Sequence, residues 1–224
     1  MFSKSEPVKA PEKLTAAKFK KDISKVFGGE MRRMGFKGSG FRFTRDSDGF
    51  LFVIGIQGSN WGPSCCVEFG VQPKAIRTNG FNEIDFKRLK YYECELRTRL
   101  SPRQGHDHWW KYSPKSSENI RTALEIAKLV EDQALPTILF FEVNPRILET
   151  IEVADLTERN GSLAKKLRIS GLGTTYTRLA WVLARINENA DLSKAKEFAE
   201  FGLAESKGSP TFFAIPDFKR ILSE

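Results

Sequence analysis

Cysteine is scarce in this chain: three in 224 residues, two of them adjacent at Cys65 and Cys66, the third at Cys94. That supply makes neither a disulfide framework nor a CxxC pair, and it points to a reducing, cytoplasmic compartment. Histidine is scarcer still, and both copies, His106 and His108, lie in one loop. Metal centres take roughly three or four protein ligands, so two histidines, with Asp107 between them or Cys94 nearby, fall short of a set and no metal is assigned. Long apolar runs are missing. The longest, "FLFVIGI" over residues 50–56, is far below the roughly 20 residues that cross a bilayer, which removes the membrane as a partner.

Catalytic and cofactor signatures are thin as well. There is no Gly-x-Ser-x-Gly elbow. "GLGTT" (171–175) precedes a helical stretch but lacks the Lys of a P-loop and the third Gly of a dinucleotide fingerprint. It reads as helix punctuation with Thr174 as N-cap, and no cofactor is implied. "DSDGF" opens like a calcium loop, yet Phe50 and Gln57 occupy positions where oxygen ligands belong. Basic residues outnumber acidic ones, 36 to 28, for a net charge of +8. They are interleaved with acids, as in "KYYECELRTR", and form no dense block. Nucleic-acid binding is therefore an alternative reading and not the first one.

What is present describes an α+β fold. Phe19, Ile23, Val26, Phe27 and Met34 fall at helical spacing, which predicts one amphipathic helix from Leu14 to Met34. Gly35 suits the left-handed position after it, with Phe36 folding back on Met31. "FRFTR" and "FLFVIGIQ" alternate as a hairpin about "DSDG", with Gly49 expected at positive φ. "SCCVEFGV" (64–71) is a third strand that sends Cys65 and Cys66 to opposite faces. "YYECELRTRL" is a fourth, with Tyr92, Cys94, Leu96 and Thr98 on one side and Glu93, Glu95, Arg97 and Arg99 on the other. The result is an antiparallel sheet of about four strands.

The second half is helical. Ile120, Ala123, Leu124, Ala127 and Val130 mark a helix with Ser116 or Ser117 as N-cap. "TILFFEV" (137–143) fits strand or short buried helix, and the surrounding pattern favours helix. Residues 174–189 and 191–207 form an αα-hairpin. The division expected is a loose basic tail over 1–13, an α+β domain over 14–150 and a helical extension over 151–224.

Several short motifs in the first two thirds carry a family resemblance: "GFK" (35–37) after the first helix, then Phe43, "QGS" (57–59), "FG" (69–70), "RTRL" (97–100) and "WW" (109–110). Over roughly residues 15–140 the chain resembles a bacterial domain-of-unknown-function family, DUF4304. That resemblance implies a small α+β domain of the kind just read and supplies no activity or catalytic residues.

Two places remain where a function can sit. One is the polar sheet face, with Glu93, Glu95, Arg97 and Arg99 on one strand and Gln57 and Glu68 on the same side. The other is the loop "SPRQGHDHWWKYSP" (101–114), with His106 and His108, with Trp109 pinning it to the body and Trp110 or Tyr112 partly exposed. With no complete catalytic set, the first reading is a non-catalytic binding module that engages a protein or a polar ligand across both. Nucleic-acid binding is the alternative. A metal-assisted enzyme centred on His106, Asp107 and His108 comes third.

Overall fold

A computed structural model describes residues 16–24, 26–103, 106–158, 161–208 and 212–224; the tail expected over 1–13 lies outside them. The amphipathic stripe that opens the chain folds as two helices, α1 (Ala16–Ile23) and α2 (Phe27–Arg33). The single helix expected is broken because the Ser24 hydroxyl donates to the Lys21 carbonyl at 2.9 Å and Val26 N–H to Ile23 at 3.2 Å. A side chain that bonds its own backbone competes with the helical ladder. The stop is as expected: Gly35 has φ +82°, with Phe36 N–H bonded to Met31 O and Gly35 N–H to Arg32 O, a Schellman ending.

Six antiparallel strands follow. Two short ones were not anticipated, β1 (Lys37–Ser39) at one edge and β6 (Trp110–Lys111) beside the start of β4. The long ones are β2 (Arg42–Asp46), β3 (Phe50–Gly58), β4 (Ser64–Pro73) and β5 (Leu96–Leu100), in the spatial order β1-β2-β3-β4-β5. The β2–β3 turn corrects one expectation. Ser47 closes it, donating its N–H and hydroxyl to the Phe50 carbonyl, so Gly49 does not take positive φ. Its missing side chain instead admits Pro145, whose carbonyl lies 3.2 Å from where a Cβ would stand.

Alternation sorts the strands into two faces. The inner face carries Phe43, Phe52, Ile54, Val67, Phe69 and Leu96, all buried. α1, α2, α3 (Ser116–Leu129) and α4 (Leu135–Val143) supply the other side of that core. Phe27 meets Phe43 edge-on at 5.3 Å and Phe141 meets Phe50 at 4.8 Å. Such aromatic contacts each add about 0.5–1.5 kcal/mol beyond area burial. The first residue outside the α3 helix is Lys115, with no side-chain cap, so neither Ser116 nor Ser117 caps it. Between α3 and α4 the chain makes one wide π-helical turn, Val130–Ala134. Residues 135–143 are helix, as the pattern around them favoured.

After α5 (Val153–Thr157) and α6 (Ser162–Lys166), the αα-hairpin stands as α7 (Tyr176–Asn187) and α8 (Leu192–Glu205), with α9 (Ile215–Ser223) against α8. One continuous buried cluster runs from Phe19 to Ile221. The N-cap of α7 is Thr175, which accepts from Arg178 N–H at 3.3 Å. Thr174 is instead turned inward, its hydroxyl donating to the Glu95 carbonyl at 2.7 Å.

The outer sheet face is only half polar. Leu51 and Val53 project from it and are buried under Leu89 and Cys94 of the β4–β5 connection. Tyr91 lies flat on Gly55, where a Cβ would come within 2.0 Å of its ring; no other residue fits beneath that tyrosine. What stays open is the stretch beyond Tyr91.

Candidate functional site

Register decides what that open stretch holds. Gly55 pairs with Glu68 and Glu68 with Arg99, while Gln57 pairs with Cys66 and Gly70 with Arg97. Gln57, Glu68, Arg97 and Arg99 therefore share one outward face. They line a recess of about 700 Å³ with Tyr91, Tyr92, Asp107 and the backbone at Gly171 and Gly173. Within it Arg99 is fully engaged. Its Nε donates to Glu68 Oε1 at 2.8 Å, Nη1 reaches Asp107 at 2.5 Å, and its head lies 5.2 Å from the Trp109 ring. Partial burial alone would lower its pKa, but the hydrogen bond and charge of Glu68 outweigh that and raise it. Burial, with the charge of Glu68 added, pushes the Tyr91 phenol up to about 12. Burial likewise pushes the Cys66 thiol up to about 12 against the pull of Arg99. Both groups are neutral at neutral pH; Tyr91 lines the recess, and Cys66 lies buried beneath it with its thiol directed at Gln57 and Glu68.

Arg97 differs from Arg99. Its Nη1 donates to the Tyr92 carbonyl at 3.0 Å, and among the described residues no carboxylate stands at ion-pair distance from it. A guanidinium without an acid is a ready fork for an oxyanion.

The recess continues around the outer edge of β5, along which the 170–173 turn is bonded. Thr98, Arg99, Asp107 and Gly171 belong both to it and to a second cavity of about 360 Å³ on the inner side. There Ser101 and His106 meet Gln133 of the π-helical turn and Arg168. Three irregularities converge on that cavity. The π turn is one, a geometry that recurs at functional positions. Arg168 is another, the one non-glycine at positive φ (+53°) among the described residues, and its carbonyl is held by the Thr137 hydroxyl at 2.6 Å. The third is Ser101, 6% exposed, whose hydroxyl is buried without a partner.

The expected site residues divide accordingly. Gln57, Arg97, Arg99 and His106 come together in the two-lobed cleft. Glu93 and Glu95 do not, because the strand starts only at Leu96 and Tyr91–Glu93 is a 3₁₀ turn. Glu93 accepts from Lys90 N–H at 2.7 Å. Glu95, 1% exposed, gives both oxygens to Arg178 at 2.5 and 2.6 Å in an adjoining recess over the start of α7, which Glu93 also lines and which shares Arg97 and Tyr92 with the first. The aromatic expectation is reversed. Trp110 and Tyr112 are each 6% exposed, the first paired with Cys65 on β4 and the second stacked on Phe19 at 4.4 Å, while Trp109 is the half-buried ring under Arg99. His108 packs edge-on against Trp110 at 4.4 Å. Among the described residues no three His, Cys, Asp or Glu side chains converge as a metal set, and no helix is long and apolar enough to cross a membrane.

Glu68 and Asp107 are legible from the sheet face and the loop, and Tyr91 was within reach as the neighbour of Tyr92 at the start of that strand pattern. Ser101, Gln133 and the 168–173 turn were not: they meet from three distant segments.

Fold and cleft together define an α+β domain built on one antiparallel sheet, with a polar depression at one sheet edge. The chain belongs to the family described as Domain of unknown function (DUF4304), whose model matches residues 27–138. That half of the chain holds the sheet, the 101–114 loop and the π turn. α1 and the 168–173 turn fall outside it. No curated protein and no solved structure matches the chain.

Proposed function

We propose that this protein is a non-catalytic binding module that holds a small polar ligand bearing a carboxylate in the cleft around β5. The observation that carries this reading is Arg97, a guanidinium with no acid at ion-pair distance among the described residues, in a recess it shares with Tyr91, Tyr92 and Gln57 and with Glu68 and Asp107, both of which are paired with Arg99. A concave site with a few polar groups suits a small molecule. A protein partner would want an exposed aromatic anchor; Trp110 and Tyr112 are spent on the core, and the exposed Trp61 and Phe81 do not line this recess. Arg99, tied to Glu68 and Asp107, keeps the wall of the site rigid.

The test is a two-dimensional NMR titration with citrate, succinate and glutamate at millimolar concentration. Shifts are expected at the amides of Arg97, Thr98, Gly171 and Gly173, and Arg97→Gln should weaken the response roughly tenfold or more with the melting temperature unchanged. If none of the three acids moves those amides, or if Arg97→Gln binds as well as the parent, the reading fails.

A further inference from the structure

A different part of the outer face carries a charge imbalance that the cleft does not use. On the far side of Tyr91 lies a pocket of about 290 Å³ lined by Lys20, Ser39, Phe41, Arg42, Lys90 and Tyr91. Its lining holds three cations and no carboxylate. Lys20 comes from α1, Arg42 from β2 and Lys90 from the β4–β5 connection, so three separate segments bring positive charge to one place. Among the described residues none of the three has an acid at ion-pair distance. Lys20 instead lies 5.4 Å from the Phe41 ring and Lys90 5.4 Å from the Tyr92 ring.

Arg42 is the sharpest of them. Its Nε donates to the Leu89 carbonyl at 2.8 Å, which fixes the guanidinium plane, while its Nη2 is buried with no partner. A buried cationic N–H without an acceptor is costly, and an anion in the pocket would supply one. The walls say what that anion is attached to. Phe41 and Tyr91 line the pocket beside the cations, and Tyr91 is held in place by its seat on Gly55. Ser39 adds a hydroxyl beside Arg42, directly opposite it in the β1–β2 pair.

We infer that this pocket binds a phosphate group carried on a flat ring, the phosphate taken by Arg42, Lys20 and Lys90 and the ring set against Phe41 and Tyr91. Two sources share that chemistry, a small aromatic or nucleoside phosphate and the backbone of a single-stranded nucleic acid, and the structure favours the small molecule. The pocket is a hollow of about 290 Å³ lined by three cations from three separate segments, which form no stripe of the kind that tracks a backbone. Tyr91 separates this pocket from the cleft, so either site can stand or fall alone.

The experiment titrates the protein with phenyl phosphate, inorganic phosphate and a short single-stranded oligonucleotide, following the amides of Ser39, Phe41 and Arg42. Phenyl phosphate is expected to bind roughly tenfold more tightly than inorganic phosphate, because only it uses the rings. The double variant Lys20→Ala/Lys90→Ala, both exposed positions, should lose roughly tenfold or more in affinity while keeping its melting temperature and its response to carboxylates at Arg97. No shift at those three amides with millimolar phenyl phosphate would overturn the inference, as would unchanged affinity in the double variant. An oligonucleotide that binds more tightly than phenyl phosphate, with affinity falling steeply in salt, would assign the pocket to nucleic acid instead.

Discussion

At the scale of single residues, the fold depends heavily on Glu95 and Arg178. The carboxylate is sealed from water, and the guanidinium that neutralises it packs against the adjoining rings of Trp181 and Phe213 at 4.8 and 4.5 Å. Removing one member of such a pair strands the other in a poorly solvated place, at about 3–5 kcal/mol. Glu95→Ala should therefore lower the urea midpoint by an amount worth about that much. Adding Arg178→Met should return a large part of it, since the stranded charge is then gone. A single-variant loss under about 1 kcal/mol would show the pair to be ornamental. The alternation of "ECELRTR" suggested that Glu95 faces outward with Arg97. Its partner lies 83 residues away, and no local pattern can announce a contact of that span.

Elements were easier to read where their causes are local. The Gly35 stop, the hairpin from Arg42 to Gly58, the opposed faces of Cys65 and Cys66 and the α7–α8 hairpin all follow from spacing and turn chemistry within a few residues. Errors arose where a neighbour or a distant segment intervened. Ser24 broke the first helix and Ser47 made Gly49 unnecessary as a left-handed turn residue, whereas the covering of Leu51 and Val53 by the β4–β5 connection agrees with an apolar β3 that reads as covered on both sides. The cleft was half legible for the same reason: Gln57, Arg97, Arg99 and His106 belong to readable segments, whereas the π turn and Arg168 reach it only through packing. The readable part can be checked at the Schellman ending. Gly35→Ala forces a Cβ into positive φ, about 1–2 kcal/mol, and brings it 3.3 Å from the Arg45 guanidinium, which is itself paired with Glu142 at 2.7 Å. Chemical denaturation should register a loss of about that size, with the far-ultraviolet circular dichroism unchanged. A neutral or stabilising outcome would contradict the assigned ending.

For the molecule as a whole, burial of weak acids sets an alkaline limit. Desolvation pushes Cys65 and Cys66 up from 9.0 to about 12 and Tyr91 and Tyr112 up from 10.0 to about 12. Above pH 9.0 the unfolded chain begins to release protons that the native state keeps, so the native state binds more protons and stability falls as pH rises. The slope should run from about pH 9 to about pH 12, and below it these four groups contribute no pH dependence. Melting temperatures across that window should decline, and Cys66→Ala should make the decline shallower. A flat profile to pH 12 would show that these side chains are not sequestered as described.

The turn at 170–173 has one more consequence. It is stitched to β5 by the Thr98–Leu172 bridge and by Gly173 N–H on the Arg97 carbonyl at 2.7 Å, and the same few atoms roof both lobes of the cleft. Unpaired strand margins are where sheets recruit foreign strands and aggregate. The hem that shapes the cleft thus also covers a strand margin that would otherwise be open to self-association.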